Sequence, residues 1–296
     1  MIDKQKQIEQ QARALHAEWV QSIGAGPVSA DSAAVVLRDI AARCAELADA
    51  LTRQAISVEQ HNDARQAMVL AMRRLMDSGT DERASRMLAR EMHDLFADAP
   101  PLPHPKYRFT FDWVAPHAEA LERDLARFRN APGVRALEIG CFEGQSACWY
   151  LDNILTHPTS RLVCVDPFAI PMGSVLVRYF ERLFDYNIAA SGSGDRVTKL
   201  VGRSQDVLPV LPQSQFDFIY VDGSHKVGDV LQDAVLTWPL LRAGGLMIFD
   251  DYDLCDDAAP GLLARAPGRA IDAFAALLGS SAATIRKDWQ FVLQKV

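Results

Sequence analysis

From residue 134 onward, short apolar runs alternate with amphipathic stretches, and that alternation constrains the fold more than any other feature of the chain. Apolar runs of four to eight residues bounded by turns read as strands, and apolar positions three or four apart read as helices. Strands are expected over Val134–Ile139, Arg161–Asp166, Val197–Val201, Phe216–Asp222 and Leu246–Asp250. Helices are expected between them, over Gln145–Leu155, Val175–Ile188, Ser204–Val210 and Val227–Leu241. Strands joined through helices pair in parallel, so this segment predicts an α/β domain with a doubly wound sheet covered on both faces. A further helix over Ala270–Leu278 is followed by strands Ala283–Lys287 and Gln290–Lys295, with almost no room between them. A parallel crossover needs a dozen residues or more, so this pair must be antiparallel, and the sheet ends on a reversed C-terminal strand.

The first 98 residues follow a different pattern. Ile8, Ala12, Leu15 and Trp19 recur at helical spacing until the Gly-x-Gly-Pro turn at Gly24–Pro27. Ser29 or Asp31 then caps a second helix with a stripe of Val36, Ile40, Cys44, Leu47 and Leu51. Met68, Met72 and Leu75 mark a third helix, and Ala84, Met87, Leu88, Met92 and Leu95 a fourth. His16, His61 and His93 read as solvated helix positions. The organisation is therefore an all-α N-terminal region (1–98), a proline-rich linker (99–112) that no helix can cross, and the α/β domain (113–296). The N-terminal region suits a lid over the site or a homo-oligomer interface. Tyr107, Phe109, Phe111 and Trp113 either line the mouth of that site or pack the linker. Tyr252–Gly268 reads as a second candidate lid.

A formal net charge of −7 argues against partners held by phosphate neutralisation. Neither part of the chain reverses this: residues 1–100 carry 12 Lys/Arg against 15 Asp/Glu, and the rest 19 against 23. Nucleic acid is therefore not an expected partner, and a small molecule is. No apolar run is long enough to span a membrane and no apolar leader opens the chain, so no membrane role and a cytoplasmic setting are expected. Five scattered cysteines, without Cys-x-x-Cys spacing, read as small buried thiols.

Ligands of open α/β sheets bind beyond the carboxyl ends of the strands. The first such end reads Glu138-Ile139-Gly140-Cys141-Phe142-Glu143-Gly144-Gln145-Ser146, where Gly140 allows a tight turn before a helix whose first amides are free. The second strand ends at Asp166, placed to hold ribose hydroxyls. Three more strand-end acids, Asp222, Asp250 and Asp251, face the same edge. Converging carboxylates repel one another and call for a cation, and hard oxygen donors favour Mg²⁺ or a similar divalent ion. His225, three residues past Asp222, is placed to accept a proton from a substrate hydroxyl, with Lys226 as a rival base.

From about Trp113 to Val296 the chain resembles the class I, S-adenosylmethionine-dependent methyltransferases, a Rossmann-like fold. Within that class it is similar to the metal-dependent small-molecule O-methyltransferases. Leu137–Ser146 is similar to the first cofactor motif of the catechol-type enzymes, and Gly202-Arg203-Ser204-Gln205-Asp206 to their adenine loop. Val221-Asp222-Gly223-Ser224-His225, with Gly244-Gly245 and Asp250-Asp251-Tyr252, is similar to the macrocin and mycinamicin sugar enzymes. The resemblance implies S-adenosylmethionine as cofactor, with Glu138, Gly140, Phe142 and Ser146 on its methionine and ribose side. It implies Asp166 at the ribose, Ser204 and Gln205 at the adenine, and Asp222 on the cofactor side as well as on the metal. It also implies Mg²⁺ held by Asp222, Asp250 and Asp251, and a hydroxylated small-molecule acceptor such as a sugar, natural product or vicinal diol. Catechol-type enzymes carry Asp-Asn where this chain has Asp250-Asp251, and a lysine at the offset of His225. Both departures point to the sugar-type pattern. Three other readings stay open: the same enzyme without a metal, an NAD-dependent oxidoreductase, and a non-catalytic assembly module.

Overall fold

The computed structural model describes residues 2–24, 26–77, 79–97, 99–168, 170–172, 175–177, 179–255 and 260–296. They fall into two compact units, Met1–Pro116 with Ala169–Leu183, and His117–Phe168 with Phe184–Val296.

The first unit is built on α1 (Ile2–Ile23), α2 (Ala30–Thr52), α3 (Val58–Asp77) and α4 (Glu82–Ala97). Helix α1 packs on α3, and α2 on α4. The expected stripes supply the core through Ile8, Ala12, Trp19, Val36, Ile40, Met68, Met72, Leu75, Leu88 and Met92, all buried. Position 25 of the glycine turn lies outside the described residues. Ser29 caps α2, its hydroxyl accepting the Ser32 N–H at 3.2 Å. His61 departs from its expected solvated position. It is buried beside Asn62, 3.2 Å from Nδ1 to Oδ1, and burial pushes its pKa down. Asn62 explains why that turn of α3 faces inward: its amide donates to the carbonyls of Pro100 (2.8 Å) and Thr110 (2.6 Å), fastening the proline run. Tyr107, Phe109 and Phe111 are buried, and His104 stacks on Tyr107.

The second unit opens with α5 (Ala118–Asp124), β1 (Arg135–Ile139), α6 (Gln145–Asn153) and β2 (Arg161–Asp166). A short antiparallel hairpin of the first unit follows, β3 (Ile170–Met172) with β4 (Val175–Val177), and then α7 (Tyr179–Ser191). The helix expected from Val175 therefore starts at Tyr179. The Val-Leu-Val run is β-favouring and pairs instead of coiling. Position 178 is outside the described residues.

Strand β5 (Val197–Val201), α8 (Ser204–Val207), β6 (Phe216–Val221), α9 (Val227–Thr237), β7 (Leu241–Phe249), α10 (Pro267–Leu278), β8 (Ala282–Lys287) and β9 (Phe291–Lys295) complete the unit. The sheet order is β5-β2-β1-β6-β7-β9-β8. Strands β5 to β7 are parallel, and β9 runs antiparallel between β7 and β8. The expected doubly wound sheet with a reversed last strand is thus present. Helix α9 stops before Pro239, which has no N–H to continue it. Strand β7 begins five residues earlier than expected because Gly244-Gly245 is absorbed by a register shift between Phe216/Leu241 and Phe218/Leu246. Strand β6 is buried along its whole length. Chain connections leave β1 and β6 in opposite directions, so the topological switch point lies between their carboxyl ends. Among the described residues no helix is long and apolar enough to cross a membrane.

Candidate functional site

Gly140 sits at that switch point with φ +84°, and a Cβ there would lie 1.9 Å from the carbonyl oxygen of Asp222. The two strand ends touch backbone to backbone, with the Asp222 N–H donating to Ile139 O at 2.8 Å. Asp166 fastens the glycine loop from β2. Its Oδ2 accepts the N–H groups of Cys141 (2.7 Å) and Phe142 (3.1 Å), and its Oδ1 accepts that of Phe168 (2.6 Å). Burial raises its pKa against those bonds. Glu138 is fully buried under the loop, accepting the Ser146 hydroxyl, with the Cys164 thiol 3.7 Å from its other oxygen. Desolvation carries it to about 7, the hydrogen bonds opposing. Cys141 and Cys164 lie close to it, and burial raises both thiols. Of the five cysteines, Cys141, Cys148 and Cys164 fit the buried expectation; Cys44 is half-buried and Cys255 is exposed.

The Gly202–Asp206 loop abuts β2, its Gly202 N–H donating to Asp166 O at 3.1 Å. The Ser204 hydroxyl donates to buried Asp233 on α9, whose pKa desolvation raises to about 6. The Gln205 amide oxygen faces the Arg203 guanidinium at 2.8 and 2.9 Å. Both side chains therefore already have protein partners.

Asp222, Asp250 and Asp251 meet beyond β6 and β7, but not as an equivalent trio. Donor atoms of Asp222, His225 and Asp251 all lie within 4.8 Å of one another. His225 Nε2 is 2.7 Å from Asp251 Oδ2 and 4.0 Å from Asp222 Oδ1. Asp250 turns back to the sheet: its Oδ2 accepts the Tyr220 hydroxyl (2.6 Å) and its Oδ1 the Asp251 N–H (3.0 Å). Gln290 donates to the same Tyr220 oxygen at 3.1 Å. Burial raises Asp222 well above the carboxylate range, helped by the charges of Asp250 and Asp251. Burial and Asp251 raise Asp250 too, against His117 and Tyr220. Burial also acts on Asp251, but His225, Arg265 and His117 together hold it below its ordinary value.

Two of these residues carry no sequence signal. Arg265 Nη2 is 3.0 Å from His225 Nδ1, across 40 positions of chain. His117 stacks on Trp289 at 6.4 Å and contributes its field to both Asp250 and Asp251. Within the Tyr252–Gly268 stretch, positions 256–259 lie outside the described residues. Its later part docks on α9: Arg265 bridges Lys226, the Val227 N–H donates to Ala264 O at 2.9 Å, and Leu262 reaches the space over Gly228.

Residues 137–252 match the family model Methyltransf_24, a methyltransferase domain. Among curated proteins, the uncharacterized protein R132 of Acanthamoeba polyphaga mimivirus is 27% identical over 138 residues, covering 46% of this chain and 59% of that protein. A putative O-methyltransferase of Mycobacterium sp. (strain JLS) is 29% identical over 136 residues, 46% of this chain and 55% of that protein. The chain thus spans a little over half the length of these two curated relatives. Among solved structures, the O-methyltransferase TomG from Streptomyces achromogenes, involved in tomaymycin synthesis and in complex with SAM, is 26% identical. That match covers 62% of this chain and 81% of that chain, with a TM-score of 0.47.

Proposed function

We propose, for a chain that carries a methyltransferase domain over residues 137–252, that it is a class I, S-adenosylmethionine-dependent O-methyltransferase of a small hydroxylated molecule. The acceptor class is a sugar moiety, natural product or vicinal diol, in a cytoplasmic setting. The observation that carries this reading is the shared edge. The Gly140 turn and the Asp222–His225–Asp251 group meet through Asp222 itself.

The residues present fit both bound groups. Gly140 lets the β1 and β6 ends close on each other, and Asp166 Oδ1, with one backbone donor, keeps capacity for ribose hydroxyls. Glu138, Phe142, Ser146 and Asp222 complete the cofactor side, with Ser204 and Gln205 toward the adenine. For the metal, Asp222 and Asp251 offer converging oxygens, and Asp250, whose oxygens accept Tyr220 and the Asp251 N–H, would have to turn to join them; a divalent cation such as Mg²⁺ would relieve the repulsion among the three. When bound, S-adenosylmethionine supplies an electrophilic methyl group, and the cation lowers the pKa of the acceptor hydroxyl.

The chain's own part is positioning and proton transfer. Asp166 fixes the loop, and Gly140 lets that loop close against the end of β6, where the cofactor would sit. His225 takes the acceptor proton, and the imidazolium formed lies 2.7 Å from the Asp251 carboxylate. Residues 113–296 carry this catalytic role, 99–112 link, and the helices of 1–98 act as lid or self-association element.

Asp222→Asn is expected to lower Mg²⁺ affinity by at least about tenfold, read by calorimetry in the presence of S-adenosylmethionine. Chelation should abolish methyl transfer to a catechol or vicinal-diol acceptor, and Mg²⁺ should restore it. Full activity in chelator would remove the metal from the mechanism and leave His225 as base. A thermal shift with NAD but none with S-adenosylmethionine would overturn the whole assignment.

A further inference from the structure

We infer that Arg265 is a positioning residue: it fixes the tautomer of His225, keeps that imidazole out of the metal's ligand set, and so biases the site toward Mg²⁺ over Zn²⁺. This rests on the metal-dependent reading above and adds a determinant to it.

A guanidinium has N–H donors and no acceptor, so the contact from Arg265 Nη2 to His225 Nδ1 at 3.0 Å requires a lone pair on Nδ1. The proton of the neutral ring is then on Nε2, where it points to Asp251 Oδ2 at 2.7 Å. Both nitrogens are committed, in one orientation only. The usual support for a metal-bound histidine is the reverse, since its second nitrogen donates to a carboxylate or carbonyl while the first binds the ion. Arg265 places a donor where such a histidine would need an acceptor. The contact is built into the backbone, because Arg265 bridges Lys226, the residue after His225, and Ala264 O accepts the Val227 N–H.

Two consequences follow for the site. Nε2, the nitrogen facing Asp222 and Asp251, has no lone pair for an ion, so carboxylate oxygens alone remain as donors. Oxygen-only sets suit Mg²⁺, whereas one added imidazole favours Zn²⁺. Nδ1 meanwhile keeps its lone pair, with an Arg265 N–H in the place that an acceptor hydroxyl would take. Proton transfer to Nδ1 therefore requires the acceptor hydroxyl to displace that Arg265 N–H, while Nε2–H stays on Asp251.

The experiment is a long-range ¹H–¹⁵N correlation spectrum of the full-length protein at about pH 8, above the ordinary histidine pKa of about 6.5, with His225 assigned by its loss in His225→Gln. Wild type should show protonated Nε2 and unprotonated Nδ1, Arg265→Lys should keep that pattern, and Arg265→Met should lose the bias. Calorimetry should show Zn²⁺ binding to Arg265→Met about tenfold tighter than to wild type, with Mg²⁺ affinity little changed and the gain absent in the double variant with His225→Gln. A wild-type spectrum with Nδ1 protonated overturns the inference, even where Arg265→Met does not fold. Unchanged tautomer and unchanged Zn²⁺ affinity in a folded Arg265→Met overturn it as well. If no divalent ion binds wild type, the metal reading and the preference fail together. The spectrum then still decides the tautomer role separately.

Discussion

Gly140→Ala is expected to lower the melting temperature by roughly 6–12 °C and to leave no measurable S-adenosylmethionine binding by calorimetry. The new Cβ would stand 1.9 Å from Asp222 O, 2.5 Å from its carbonyl carbon and 2.6 Å from Gly223 Cα, all backbone atoms that no rotamer change can move aside. The strand ends cannot part cheaply either. Asp222 N–H is bonded to Ile139 O, and Gly140 N–H to Val165 O at 2.9 Å. Left-handed backbone costs alanine about 1 kcal/mol and overpacking about 1–3 kcal/mol more, so the total is on the order of 3 kcal/mol. For a chain of this size that corresponds to the stated shift in Tm. Gly244→Ala is the control. It has φ +74° with nothing within 4 Å of the added carbon, so it should bear only the backbone cost. Equal melting of the two variants would mean that the β1–β6 crossing is loose, and the close approach would lose its place in the argument.

The parts of this edge that the sequence reveals are those set by local pattern. Arg161–Asp166 and Val197–Val201 are bounded as expected because each is a short apolar-rich run closed by polar or glycine residues, and strand ends fix where Asp166 and Asp222 must be. The strand expected from Leu246 starts at Leu241, because pairing with β6 recruits Leu241 across a register shift, which depends on the neighbour and not on the segment. The acid cluster was legible as residues but not as geometry. Asp250 and Asp251 are adjacent in sequence, and one turns to Tyr220 while the other, at φ +56°, turns to His225. That division is decided by partners 30 and 26 positions away in the chain. Ser204 meeting Asp233, and Arg265 meeting His225, belong to the same class: side-chain pairings between elements, for which no periodicity exists.

Glu138→Gln should remove a pH dependence of stability worth about 3 kcal/mol. Glu138 has no exposed surface, and its pKa in the folded chain is about 7 against an ordinary 4.5. That difference, at about 1.4 kcal/mol for each pH unit, gives the stated size. A folded-state pKa above the unfolded one means that the native state binds the proton more tightly. The stabilisation is therefore fully present below about pH 4.5 and is lost as pH rises through about 7. Asp233, raised to about 6, and the raised Asp222 act in the same direction in both proteins, while the lowered Asp251 acts oppositely at the acid end. The difference between wild type and Glu138→Gln therefore reports this carboxyl together with the smaller part of the Asp222 shift that the Glu138 charge supplies. Denaturant unfolding from pH 5 to 8 should show wild type falling more steeply than the variant, with the curves converging on the acid side. Parallel curves would mean that Glu138 keeps an ordinary pKa, solvated beneath its loop. The argument also bears on cofactor binding. An S-adenosylmethionine ammonium or ribose hydroxyl placed near Glu138 would pull its pKa down, so saturating cofactor should flatten the wild-type slope more than that of the variant, where only Asp166 and Asp222 still respond.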